Sequence, residues 1–173
     1  LGIDAEAHKG ALDAGGRTIA VLGTGVDDAS LYPHTHKPLA ERIAQAGAVL
    51  SEFEPGTPAY PGNFPQRNRI IAGLAYGTVI VEADERSGSL ITAPFALDQG
   101  KEVFAVPGQI YSRTTRGVHR LIQEGAKLIT SIEGILEELP MLAVTAVAHQ
   151  DTTLTEDEAR IIELIAREPA QVD

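Results

Sequence analysis

The sequence predicts an α/β fold, with a mainly parallel sheet and helices on both of its faces, and three observations carry that reading. Five short apolar runs rich in β-branched residues lie between Thr18 and Thr130, amphipathic segments fall between them, and a glycine follows each of four of those segments. Apolar runs without polar alternation suit a parallel sheet, whose crossover helices cover it on either side. Strand and helix alternating at this spacing imply βαβ units with right-handed crossovers, a Rossmann-like arrangement.

The chain opens on a helical pattern, Gly2 to Leu12, rather than on the strand that usually begins such a sheet. An N-terminal strand is therefore expected to be missing from the sequence. The strands follow at Thr18 to Leu22, Ala48 to Ser51, Thr78 to Glu82, Glu102 to Val106 and Lys127 to Thr130. Between the first two, Pro38 to Gln45 places Leu39 and Ile43, with Ala46 just beyond, on one helical face. Pro65 to Tyr76 does the same with Ile70, Ile71 and Leu74, and Leu90 to Gln99 and Thr115 to Glu124 complete the alternation. Gly47, Gly77, Gly100 and Gly125 stand where helices should end, so each is expected to take positive φ.

Residues 1–139 accordingly read as one Rossmann-like domain, and 140–152 as a linker without charge pairing or periodicity. In 153–173 an amphipathic helix runs from Thr155 to Arg167, with Thr155 and Glu158 spaced as a capping box. Its apolar face of Ile161, Ile162 and Ile165 has no partner in the tail, so it reads as the first helix of a small domain cut short.

A hydrophobic content of 43% in 173 residues can build a substantial core. No apolar run approaches the ~18 to 20 residues of a membrane span, and no secretory leader pattern opens the chain. With no cysteine there is no disulfide framework or thiolate zinc site, and a reducing cytoplasm is the simplest home. The net charge of -10 argues at first against a polyanionic partner, but residues 132–173 account for -8 of it and residues 1–131 for -2. The span from Ala59 to Gly73 holds two arginines and no acid. Lys101 to Lys127 holds five basic residues against two acids, so basic patches are expected on an acidic protein.

Three glycine-containing loops follow strands, where open α/β sheets place their ligand crevice. Gly23-Thr24-Gly25 lacks the third glycine of the dinucleotide fingerprint and is followed by Asp27 and Asp28, so it reads as a tight turn and no nucleotide cofactor is expected. Glu85-Arg86-Ser87-Gly88-Ser89 leads from a strand into a helix, and its small residues let backbone N–H groups and hydroxyls point at one anion. An ordinary N-cap, for which one serine suffices, is the alternative.

The third loop, Pro61-Gly62-Asn63-Phe64-Pro65-Gln66-Arg67-Asn68-Arg69, puts arginines in the opening turns of a helix. They oppose the helix dipole there unless an anion is present. Phe64 could stack on a base and Asn68 could bond a base edge or phosphate. Alternatively, Phe64 is a hydrophobic staple and the arginines pair with Glu82 or Glu85. His34 and His36 lack a third ligand for a metal site, so no metal is expected. Glu82, Asp84 and Glu85 are the best catalytic candidates, but solvated loop charges are the simpler reading because nothing positions a nucleophile beside them.

Several segments together resemble successive signature blocks of the DNA-processing protein A (DprA/Smf) family. They are Gly2 to His8, Gly62 to Gly73, Ser87 to Thr92, Val106-Pro107-Gly108 and His119 to Ala126, in that order. The resemblance implies a Rossmann-like domain that forms a homodimer, binds single-stranded DNA, and helps load the RecA recombinase onto it in natural transformation. It implies a DNA site of His34, Asn63, Phe64, Arg67, Asn68, Arg69, Ser87, Gly88 and Ser89, without catalytic residues, cofactor or metal. It also implies a dimer interface with contacts at Leu97, His119, Ile122 and Leu128. Leu121 and Ile122 are adjacent on one helix, which cannot bury both equally, so one is expected to be available to a partner.

The acidic tail resembles the start of a winged-helix domain. Members often carry Lys or Arg after the Tyr-Pro pair, where this chain has His34. The strand and glycine loop that ordinarily precede Leu1, with a further basic residue, are absent. A second function class is an enzyme similar to the nucleoside-monophosphate phosphoribohydrolases, with Glu85 acting at the ribose. Arg-Ser-Gly-Ser-Leu stands here in place of that family's Pro-Gly-Gly-x-Gly-Thr loop.

Overall fold

A computed structural model describes residues 2–139 of the chain; the expected linker and terminal helix over 140–173 lie outside the described residues. In chain order the elements are α1 (Ile3–Asp13), β1 (Ile19–Val21), α2 (Lys37–Ala46), β2 (Ala48–Leu50), α3 (Asn63–Leu74) and β3 (Gly77–Ile80). They continue with α4 (Ser89–Asp98), β4 (Glu102–Ala105), α5 (Arg116–Gln123), β5 (Lys127–Leu128) and α6 (Glu133–Glu138). Short 3-10 turns at His34–His36 and Arg113–Thr115 lead into α2 and α5.

All strand pairs are parallel, as the uninterrupted apolar runs require. The strands form two ladders. β1 pairs with β2, Ile19 opposite Ala48, and separately β3 pairs with β4 and β4 with β5. The N–H of Leu22 donates to the Leu50 carbonyl, and that of Ala48 to the Thr18 carbonyl. Alternate residues of a parallel strand serve opposite neighbours, so Ile19 and Val21 direct their backbone groups away from β2.

Two of the four glycines expected at positive φ take it, Gly100 at 65° and Gly125 at 109°. Gly47 and Gly77 do not, and close approach is the reason in both cases. Gly47 has φ of -156°, and a Cβ there would run into the carbonyl of Thr18, the residue just before β1. At Gly77 a Cβ would lie 2.7 Å from the Phe104 ring. Each glycine lets a neighbouring strand pass where a methyl group would block it.

The core sits on the three-stranded ladder. Ala72 of α3, Ala93 and Ala96 of α4 and Val103 of β4 form one buried cluster, whose small side chains let the two helices approach closely. Ile80, Ala83, Ala105 and Val118 form a second, and Leu121 packs against both. Gly117 brings the start of α5 onto the loop after β3. A Cβ there would lie 2.8 Å from the carbonyl oxygens of Ala83 and Asp84.

Candidate functional site

β1 and β3 face, along their length, a cleft of about 690 Å³ lined also by α1, α3 and the start of α4. Phe64, Arg67 and Asn68 of α3 wall it, together with Gly88, Ser89 and Thr92. Phe64 sits where it does because Gly23 has no side chain, and a Cβ there would meet the ring at 2.9 Å. The Arg67 guanidinium lies 5.9 Å from the Phe64 ring centroid, bonds Asn68 Oδ1 at 3.1 Å, and donates to the Val21 carbonyl. Burial lowers the pKa of Arg67, opposed by the carboxylate of Asp4. A guanidinium nevertheless keeps its charge in proteins, so this is a half-buried cation held at the end of β1.

The structure separates the other expected site residues. Arg69, two positions along α3, ion-pairs with Glu52, rather than with Glu82 or Glu85. Asn63 turns back to donate to the Gly23 carbonyl at 3.1 Å and so ties α3 to the loop after β1. Ser87 Oγ accepts the Ser89 N–H at 3.3 Å, which forms the turn into α4. Asp84 accepts the Glu85 N–H at 2.7 Å and lies 3.6 Å from Arg113. His34 is exposed and lines neither this cleft nor its neighbour.

That neighbour, a cavity of about 300 Å³, shares Phe64 and Arg67 as a common wall and is lined on its far side by Tyr32, Pro33 and His36. Tyr32 is 57% exposed, with its ring 6.2 Å from that of Phe64 and tilted by 57°. In the sequence, the only signal for Tyr32 is an aromatic residue beside a proline.

Among the expected interface residues, Leu97 and Leu128 are exposed, at 63% and 47%. Ile122 is half-buried and packs on the second core cluster, as Leu121 also does. His119 places Nε2 3.1 Å from the Gly108 carbonyl.

His8 of α1 holds Nδ1 2.7 Å from Thr18 Oγ1, and burial pushes its pKa down, with Asp4 opposing. A histidine with a depressed folded-state pKa binds protons more readily when unfolded. Stability is therefore full above the ordinary histidine pKa and falls as pH drops through it. Urea unfolding between about pH 7 and pH 5 should show this loss, with His8→Gln reducing it. Superimposable pH profiles for parent and variant would exclude His8 as its source.

The profile of the family described as DNA recombination-mediator protein A matches residues 1–140. DNA processing protein DprA of Streptococcus pneumoniae is 51% identical over 137 residues, which cover 79% of this chain and 48% of that protein. Protein Smf of Escherichia coli is 51% identical over 139 residues, covering 80% and 37% respectively. The chain thus spans less than half the length of either relative. The solved structure of the Streptococcus pneumoniae protein superposes with a TM-score of 0.72 at 49% identity, over 79% of this chain and 48% of that one. A structure of DNA processing protein A from Helicobacter pylori, described for a single-stranded DNA binding mode, superposes with a TM-score of 0.71 at 30% identity. It covers 82% of this chain and 63% of that one.

Proposed function

This chain belongs to the DNA recombination-mediator protein A family, DprA or Smf in its relatives, and from that premise we propose that residues 1–139 bind single-stranded DNA without catalytic turnover. One observation carries the reading. Phe64, Arg67 and Asn68 line one cleft between β1 and β3 with Gly88 and Ser89, and Arg67 enters it at Val21, the C-terminal end of β1. That edge is where open α/β sheets bind ligands, and the start of α4 favours anions there. Phe64 and Tyr32 supply π faces that a free strand can meet and a duplex hides. Arg69, Asn63, Ser87 and His34 belong to the rim in this reading, and Arg69 must leave Glu52 to reach a phosphate.

The recombination-mediator description of the family supports a hand-over of the bound strand to a RecA-type recombinase in the cytoplasm, as in natural transformation. Gel shifts with single-stranded and double-stranded DNA of one sequence test the reading. Single strands should bind more tightly, and equal or stronger binding of the duplex would overturn it. Release of free base from nucleoside monophosphates, abolished by Glu85→Ala, would overturn the non-catalytic part.

The reading includes a homodimer built on the segment from Gly117 to Leu128, with Leu97 beside it. Leu97 and Leu128 are the exposed apolar side chains that support this interface. Leu97→Glu with Leu128→Glu should convert a dimer into monomers by light scattering. An unchanged dimer would place the interface elsewhere, since Ile122 already packs against its own core.

A further inference from the structure

The two acids that follow the first glycine loop point to different tasks. Asp28 pairs with Lys37 at the surface, whereas Asp27 turns back into the loop that carries it. Asp27 Oδ2 accepts the N–H and the hydroxyl of Ser30 at 3.1 and 3.0 Å, and the Asp27 carbonyl accepts the N–H groups of Ser30 and Leu31. Oδ1 reaches across to the loop after β2 and accepts the Gly56 N–H at 2.6 Å. One carboxylate thus fastens together two loops that leave neighbouring strands.

The two loops meet through polar groups at close range. The Gly25 N–H donates to the Thr57 carbonyl at 3.0 Å, and Ser51 Oγ donates to the Thr24 carbonyl at 2.6 Å. Thr24 and Ser30 are buried. A Cβ on Gly25 would lie 2.6 Å from Asp27 Oδ1 and 2.7 Å from the Glu54 carbonyl oxygen, so no side chain fits between the loops there. The Gly56 N–H, with burial opposing and Ser30 adding to it, holds the Asp27 carboxyl below its ordinary value. The clasp is therefore ionised throughout the neutral range.

What the clasp serves lies at the far end of the first loop. That loop meets α3 twice. At its start Gly23 lies against the Phe64 ring and its carbonyl accepts the Asn63 side-chain N–H, so this end is bonded to α3 directly. At its other end Tyr32 sets its ring 6.2 Å from that of Phe64, tilted by 57°. Rings at that separation and tilt meet edge to face and form one aromatic surface. This end is held by the turn from Asp27 to Leu31, with Leu31 buried as its apolar pin.

We propose that Asp27 is a positioning residue for single-stranded DNA: by fastening the loop after β1 to the loop after β2, it keeps the Tyr32 ring beside Phe64 as the second half of a stacking surface for bases. The role rests on the DNA-binding reading given above. Asp27 touches no base and acts through Tyr32 alone. Charge supplies a sign that sets this role apart. Removing a carboxylate from a face that meets a polyanion strengthens binding by electrostatics, whereas removing a positioning residue weakens it.

Titrations of the 173-residue chain with a thymidine oligonucleotide test this through a double-mutant cycle of Asp27→Ala and Tyr32→Ala. Tyr32→Ala should lower affinity by roughly 5- to 150-fold, as for the loss of one base stacked on a ring. Asp27→Ala should lower it by on the order of fivefold or more with the dependence on salt kept. The double variant should bind no more weakly than Tyr32→Ala. Asp27→Asn, which keeps an acceptor for Gly56 and loses the one for Ser30, should fall between the parent and Asp27→Ala. It carries the same comparisons should Asp27→Ala disturb the rest of the fold. Unchanged or tighter binding by both Asp27 variants would overturn the role, and so would losses that multiply in the double variant. Without DNA, nuclear Overhauser contacts between the Tyr32 and Phe64 rings should be present in the parent and lost in Asp27→Ala, while the amide spectrum of β3, β4 and β5 stays as it is. Ring contacts that persist in the Asp27 variants would overturn the role of Asp27 and leave the DNA-binding reading standing. A parent chain that binds duplex DNA at least as well as single strands would overturn that reading, and this role with it.

Discussion

Phe64→Leu should weaken binding of single-stranded DNA by roughly 5- to 150-fold, the equivalent of about 1 to 3 kcal/mol for a base stacked on an aromatic ring. Leucine keeps an apolar side chain against Gly23, so the wall between the two cavities stays filled while the π face is lost. The dependence of affinity on salt should not change, because no phosphate contact is removed. Arg67→Ala should act differently, lowering affinity and flattening the slope of log affinity against log salt by about 0.7. Arg69→Ala should have the smaller effect of the two arginine variants, since Arg69 is already engaged by Glu52. Titrations with a thymidine oligonucleotide at several salt concentrations measure all three. If Phe64→Leu and Arg67→Ala both bind like the parent throughout, the ligand does not occupy this cleft.

Phe104→Ala should destabilise the domain by about 3 to 5 kcal/mol, the usual cost of truncating a fully enclosed aromatic side chain. Phe104 is the largest of the fully buried side chains, lies in the central strand of the three-stranded ladder, and presses on Gly77 in the next strand. A fall of roughly 10 °C or more in melting temperature is the expected readout. Gly77→Ala should also destabilise, because its methyl group would sit 2.7 Å from that ring. Combined with Phe104→Leu the two changes should be less than additive, since one relieves the crowding made by the other. A Phe104→Ala loss below about 1 kcal/mol would mean that the pocket collapses freely, contrary to close packing.

Strand positions were legible because each strand is a short apolar run between helices, and four of the five lie wholly inside the expected runs. Gly47 does stand at a helix end and Gly77 opens β3, but neither is glycine for the expected reason. What makes them glycine is a strand from elsewhere in the chain, which local sequence does not contain. Arg67 and Arg69 were grouped as a pair, yet a helix turns by roughly 200° between residues two apart. That spacing already sent them to different sides, and only the fold identified the Val21 carbonyl and Glu52 as their partners. Tyr32 was missed because its place against Phe64 joins segments 32 residues apart. The division of the sheet into two ladders was not legible, since periodicity reports which residues are strands and not which strands are neighbours.

That division also sets how evenly the domain resists unfolding. Both interlocked apolar clusters belong to the three-stranded ladder and its helices, whereas on the β1–β2 side the buried apolar residues Val21, Leu31 and Ile43 belong to neither cluster. Cooperative units with fewer interlocked contacts open first, so the β1–β2 half should exchange its amides faster than the β3–β4–β5 half. The ligand cleft takes its walls from both. Anything bound there bridges a labile segment to a firm one, and it lowers the populations of the partly open and the globally unfolded states by the same factor when neither of them binds it.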